Sequence, residues 1–254
     1  MFDHVYEYYS QNINSRPQCL SSKLMLHIIH ADPHYLAIDK PGGLLVHRSS
    51  RDAHETQFAL QMLRDQIGKA VYPCHRLDKP TSGILLFALS QRAHRAAQAA
   101  FAKQHPKKTY LAVVRGWIDG SGVIDYDLRN EDRPDKVKSA ITDYRCLKQS
   151  AVEVPVGLYP SGRFSLLELN PRTGRTHQLR RHMAHLRHPI LGDTRHGDGT
   201  QNKFLRAHCG QQILMLRAVR LQMPHPMGDE PLDLRAGGNA DFDAVLDGLG
   251  LGLY

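Results

Sequence analysis

The chain has 254 residues, 41% of them hydrophobic, with 33 Lys and Arg against 25 Asp and Glu for a formal charge of +8. That balance suits one large soluble domain or two small ones and favours a polyanionic partner, and no internal repeat or low-complexity array appears along the chain. No apolar run reaches membrane-spanning length, and Asp3 and Glu7 among N-terminal tyrosines do not make a signal peptide, so a cytoplasmic protein with no membrane partner is expected.

Residues 1–24, with Tyr6, Tyr8 and Tyr9 ahead of a polar run, differ from the rest. They read as a disordered extension or as the product of an upstream start codon, with 25–254 forming a single domain. Tyr35 to Asp39 reads as a strand closed by a Pro-Gly-Gly turn, and residues 56–67 as a helix with Phe58, Leu60, Met62, Leu63 and Ile67 on overlapping apolar positions. Ser90 is a good N-cap for an alanine-rich helix through Phe101. Tyr110 to Val114 and Phe164 to Leu169 read as strands, the mixed-charge run 129–138 as an exposed loop, and Asp241 to Leu249 as a closing helix ended by glycines. Strands and helices mingle without βαβ alternation, which favours an α+β fold. Cys19, Cys74, Cys146 and Cys209 form no C-x-x-C, so neither a zinc site nor a disulfide framework is indicated.

The most informative stretch is His75-Arg76-Leu77-Asp78-Lys79-Pro80-Thr81-Ser82-Gly83, followed by the apolar run Ile84 to Leu89. Asp78 therefore sits on a turn feeding a buried strand, with Pro80 holding Lys79 extended. Arg76 and Lys79 flank the carboxylate and favour its ionised form, which suits a nucleophile that needs no metal.

This stretch resembles the H-R-L-D-x-x-T-S-G signature of the RluA-type pseudouridine synthases. Other segments resemble the same family in the same order: Asp39 to His47 its K-P-x-G-x-x-V-H element, Lys107 to Gly116 its K-x-Y-x-A-x-V-x-G strand, Pro171 to His182 its T-G-R-x-H-Q-L-R-x-H element, and His188 to Asp193 its H-P-I-x-G-D element. Together they span roughly residues 25 to 235. The runs Gln178 to Pro189 and Asp193 to Asp198 most resemble the branch acting on the uridine at position 65 of tRNA.

The resemblance implies a pseudouridine synthase catalytic fold: a mixed, largely antiparallel sheet in two subdomains flanking a basic active-site cleft, with no separate N-terminal RNA-binding module. It implies Asp78 as the catalytic carboxylate, Arg180 as its ion-pair partner and Tyr110 as the aromatic ring against the uracil. Arg76 would fill the gap left by a flipped base, and Leu216 would pack near that base, although Arg217 stands where the family carries a histidine. Lys40, Lys107, Lys108, Arg172 and Arg175 are candidate phosphate contacts, and His177 a further RNA-binding residue. Whether Asp78 attacks C1′, attacks C6 or removes a sugar proton stays open.

The expected partner is tRNA, bound by a monomer without cofactor, nucleotide or metal. His182, His185 and His188 share one helical face but have no acidic neighbour or H-E-x-x-H pattern, so they are not expected to bind an ion. The alternatives are the same chemistry on ribosomal RNA, a non-catalytic RNA-binding protein and, more distantly, a metal-dependent hydrolase.

Overall fold

The computed structural model describes residues 25–48, 54–103, 106–131, 133 and 135–252; the expected extension over 1–24 lies outside them. The described residues form two compact units, one within 25–106 and 219–237, the other within 107–218 and 238–252.

The first unit opens with β1 (His27–Ala31) and β2 (Tyr35–Lys40), then α1 (Ala59–Ile67), β3 (Tyr72–Pro73), β4 (Ser82–Ala88) and α2 (Gln91–Lys103). β2 pairs antiparallel with β1 and with β4, and Lys40 lies opposite Gly83. Every residue of β4 is buried, as a continuous apolar run flanked on both faces requires. One face carries Ile84, Leu86 and Ala88 against Ala93, Ala97 and Ala100 of α2, whose methyl side chains repeat along one helical face and let helix and strands approach closely. The other face carries Leu85 and Phe87, fully buried, each contributing about 1.5–3 kcal/mol. Ser90 caps α2 through the amide of Ala93, as expected.

Helix α1 starts three residues later than its apolar spacing suggests. Phe58 is extended and bridges Leu45, and the amides of Ala59 and Leu60 donate to the carbonyls of Leu45 and Val46. The first-turn donors are thus met by a neighbouring loop rather than by a side-chain cap.

The second unit continues with β5 (Lys107–Arg115), β6 (Ser121–Asp125), β7 (Leu128–Arg129), β8 (Val137–Lys138), β9 (Ile141–Val152), β10 (Gly162–Pro171), α3 (Gln178–His185) and α4 (Gly199–Cys209). β5, β10, β9 and β6 pair in that order, all antiparallel, with Tyr110 opposite Leu169. The run expected to be a plain loop is instead a short hairpin, Leu128 pairing with Lys138 and Arg129 with Val137. Each apolar residue beside the charged turn, Leu128 and Val137, pairs with a cation on the opposite strand, a contact that charge content does not reveal.

β11 (Leu216–Met223) then carries the chain into the first unit, where Arg220 to Met223 pair with β12 (Leu232–Arg235). The last helix, α5 (Ala240–Gly248), returns to the second unit, capped by Asn239 accepting from the amide of Phe242. Its Phe242, Val245 and Leu246 join Leu179 and Met183 of α3 and Phe204 and Leu205 of α4 in the core over β5 and β10.

Candidate active site

In the first unit the Asp78 turn is held from several sides. The Thr81 amide donates to the Asp78 carbonyl, and the Gly43 amide to the Lys79 carbonyl. The Leu86 amide donates to His75 Nε2, leaving that ring nitrogen unprotonated, and the ring stacks on Phe101. Upstream, Cys74 takes its place in the strand pairing through the Leu86 carbonyl, and Gln98 of α2 donates to the Cys74 carbonyl. Burial pushes the Cys74 thiol up to about 12, so it serves as packing rather than as a nucleophile. Leu77 points inward at 6% exposure while Arg76 is exposed, so the turn presents cation and carboxylate on either side of an anchored leucine.

Lys40 departs from its expected role. It is fully buried, and its ammonium donates to the carbonyls of Pro41 (2.8 Å), Leu44 (2.8 Å) and Lys79 (3.2 Å). A side chain so enclosed cannot meet an RNA phosphate; it ties the Pro-Gly-Gly turn to the turn that carries Asp78. Burial lowers its pKa to about 7, against the carboxylates of Asp78 and Asp39, which raise it. Lys79, by contrast, directs its ammonium to Glu55 at 2.5 Å. Lys40 is thus a cation tied into the turn that bears Asp78, which sequence adjacency does not suggest.

In the second unit Arg180 lies in the first turn of α3, almost entirely buried, where the helix dipole disfavours a cation. Asp193 answers it with two bonds, Nε to Oδ2 and Nη2 to Oδ1, both 2.7 Å. Asp193 Oδ1 also accepts the amides of Arg195 and His196. Burial alone would raise this carboxyl; the Arg180 guanidinium and the two amides outweigh it and hold it below the ordinary carboxylate range.

Around that pair, Gln178 uses its whole amide. Its oxygen accepts from Thr173 Oγ1 and the Arg175 amide, and its nitrogen donates to the Ile141 carbonyl and Thr142 Oγ1. Thr142 in turn meets His182 Nδ1, whose Nε2 lies 3.1 Å from the Tyr126 carbonyl. Both ring nitrogens of His182 are committed, and burial lowers its pKa. His185 stacks on Tyr126, and His188 Nδ1 meets the Arg115 carbonyl. These three histidines turn to separate tasks.

The remaining expected residues of this unit spread around the Thr-Gly-Arg segment. Lys108 is half-buried, with its ammonium 3.9 Å from where a side chain on Gly174 would begin, and burial lowers its pKa. Arg175 is half-buried and donates from Nε to the Ser139 carbonyl. Tyr110 is half-buried at the edge of the core, whereas Leu216 and Arg217 are each 3% exposed. His177 has a left-handed backbone, φ 52°, and its ring meets Glu131 and His196.

Residues 34–185 match the model of the RNA pseudouridylate synthase family. The chain belongs to that family. The span matched to the synthase model holds Asp78, Tyr110 and Arg180 and stops short of Asp193, His196 and Leu216. Over 234 residues the chain is 48% identical to a protein named tRNA pseudouridine synthase C from Vibrio cholerae serotype O1, covering 89% of this chain and 94% of that one. A protein of the same name from Pasteurella multocida is 49% identical over 223 residues, 84% of this chain and 92% of its own. Among solved structures, human RNA pseudouridylate synthase domain containing 1 matches with a TM-score of 0.70 at 25% identity, covering 90% of each chain. These findings bear out the family and the α+β synthase fold read from the motifs.

Sequence reasoning missed Asp193 as a partner of Arg180, Lys40 as a buried brace, and the grouping of Glu131 with His177 and His196. Asp193 stood inside the H-P-I-L-G-D element, and Gly192 beside it was the available signal. A side chain there would begin 1.8 Å from the Ile213 carbonyl oxygen, at φ +76°, so the glycine marks a close approach that delivers the aspartate.

Proposed function

We propose that this synthase converts one uridine of tRNA to pseudouridine, at position 65 in the T-stem, as a cytoplasmic monomer whose two units serve one catalytic domain. The tRNA reading is carried by 48% identity across nine-tenths of the chain to a protein named for that activity. Position 65 rests on the runs Gln178 to Pro189 and Asp193 to Asp198.

The rearrangement breaks the bond from ribose C1′ to N1, turns the base while it stays bound, and joins C1′ to C5; the C5 proton leaves and N1 gains one. No atom of substrate is lost and nothing is oxidised, so side chains suffice in principle. Asp78 supplies the carboxylate that starts the reaction, and its turn is braced so that little reorganisation accompanies each turnover. Tyr110 supplies an aromatic face and a hydroxyl for proton transfer, and Arg180 a guanidinium already oriented by Asp193. A stem uridine must leave its stack at a cost of a few kcal/mol, and the exposed Arg76 is suited to occupy its place. Lys108, Arg175 and His177 contribute RNA contacts, and Leu216, buried in the core, packs on the side of the flipped base.

Pseudouridine is mapped in total RNA from cells with the gene, without it, and with Asp78→Asn. We expect one T-stem position to go unmodified in both altered strains, with purified Asp78→Asn still binding tRNA. Loss confined to ribosomal RNA transfers the assignment to that substrate, and an active Asp78→Asn enzyme removes the proposed nucleophile.

A further inference from the structure

His177 Nδ1 lies 3.0 Å from His196 Nε2 and 3.0 Å from Glu131 Oε1, and the last two atoms are 3.9 Å apart. The side chains are 14%, 19% and 14% exposed, so water competes little for these atoms. A hydrogen-bonded reading of the trio is unsatisfying. A proton on His177 Nδ1 must be split between two acceptors; a proton on His196 Nε2 satisfies His177 but leaves its nitrogen lone pair facing the Glu131 carboxylate. No tautomer meets both short contacts with straight hydrogen bonds.

A cation meets all three. Among points equidistant from these atoms, the one in their plane lies about 2.0 Å away with His196 and Glu131 nearly opposite, and one raised out of the plane to about 2.2 Å closes that angle to about 125° and frees a fourth position, within the range of zinc bonds to imidazole nitrogen and carboxylate oxygen. The surroundings supply outer partners: Arg195 Nη2 reaches the second Glu131 oxygen at 2.9 Å, and Asp193 fixes the turn bearing His196 by accepting its amide. The backbone of His177 is left-handed, a conformation that a non-glycine residue adopts only against strain, and it accompanies the placing of that imidazole in the group.

We propose that Glu131, His177 and His196 form a binding site for a divalent first-row cation of the zinc type, with a fourth position left for water or an oxygen ligand. Two imidazoles and one carboxylate are a zinc donor set of that open kind. The ion joins three separate stretches of the second unit: the β7–β8 turn at Glu131, the entrance of α3 at His177, and the turn after Asp193 at His196. Arg180 lies one turn into α3, and Asp193 begins the His196 turn, so the ion stiffens both sides of the buried pair. The site stands independently of which RNA the enzyme modifies.

The test uses the full chain, stripped with chelator, then titrated with Zn²⁺ in competition with a chromophoric chelator and with Co²⁺ by visible absorption. One equivalent of zinc is expected, with the intense bands of four-coordinate cobalt and a higher Tm for the loaded protein. His196→Ala and the near-isosteric Glu131→Gln should each weaken binding at least about ten-fold, while His30→Ala changes nothing. Absence of stoichiometric uptake by the wild-type chain overturns the site, as does uptake that survives Glu131→Gln unchanged. Should His196→Ala fail to fold, the glutamine variant alone decides.

Discussion

Asp193 grips Arg180 through two 2.7 Å bonds while their side chains are only 1% and 5% exposed. The pair joins the first turn of α3 to the turn that follows Gly192, so the position of the guanidinium is set outside its own helix. Replacing Asp193 with Ala takes two charge-assisted bonds from a buried cation, and a loss of about 3–5 kcal/mol is expected in urea unfolding. The folded carboxyl titrates below its unfolded value, so its stabilisation is complete above about pH 4 and fades as pH falls through the lower folded value. Asp193→Asn should therefore flatten the acid limb of the stability curve; an unchanged limb would mean that the pair contributes nothing there.

Lys40 bears on pH from the other side. Its pKa falls on folding to about 7, so the cost of burying its charge is felt at pH 7 and below and relieved as pH rises toward the unfolded lysine value. Wild-type stability should gain from this group between about pH 7 and 10, and Lys40→Met should lose that gain. The variant also leaves the carbonyls of Pro41, Leu44 and Lys79 without their donor, and we expect a cost of about 3 kcal/mol with a fall in kcat as the Asp78 turn loosens. Equal slopes for the two proteins in this range would remove the assignment.

Gly192→Ala tests how the aspartate is delivered. A methyl group would meet the Ile213 carbonyl oxygen at 1.8 Å with φ at +76°, so the backbone must move. The expected loss exceeds about 3 kcal/mol, read as a lower Tm and reduced soluble yield. A variant as stable as wild type would show that the turn tolerates rearrangement.

The two cations assigned to RNA should separate in their behaviour. Arg76→Ala should lower kcat/KM about 100-fold on a folded T-stem and much less on an unpaired uridine, because only the former must fill a vacated stack. Lys108→Ala should instead weaken binding to both and reduce the slope of log affinity against log salt by about one. Equal effects of Arg76→Ala on the two substrates would argue for a plain phosphate contact.

Much of the fold was legible because its signals are local. The apolar run after Asp78 became a strand buried along its whole length, Ser90 capped its helix, and Tyr110 and Phe164 lay on strands that pair with each other. Asp78 could be singled out for the same reason, since turn residues, flanking cations and a following strand stand within a dozen positions. The start of α1 was misread because a loop near Leu45 supplies its first acceptors, and the 129–138 run because strand pairing depends on both ends at once.

By itself the sequence determined the family and the places of several strands and helices, and it singled out Asp78 as the candidate carboxylate, since each is written in contiguous motifs, periodicity or turn chemistry. Only the tertiary structure decided that Lys40 is a brace and not a phosphate contact, that Asp193 holds Arg180, and that Glu131 meets His177 and His196. Those outcomes depend on desolvation and on distances between segments far apart in the chain. A lysine at the surface and one enclosed by three carbonyls are the same letter, and only the water excluded around it separates their chemistry.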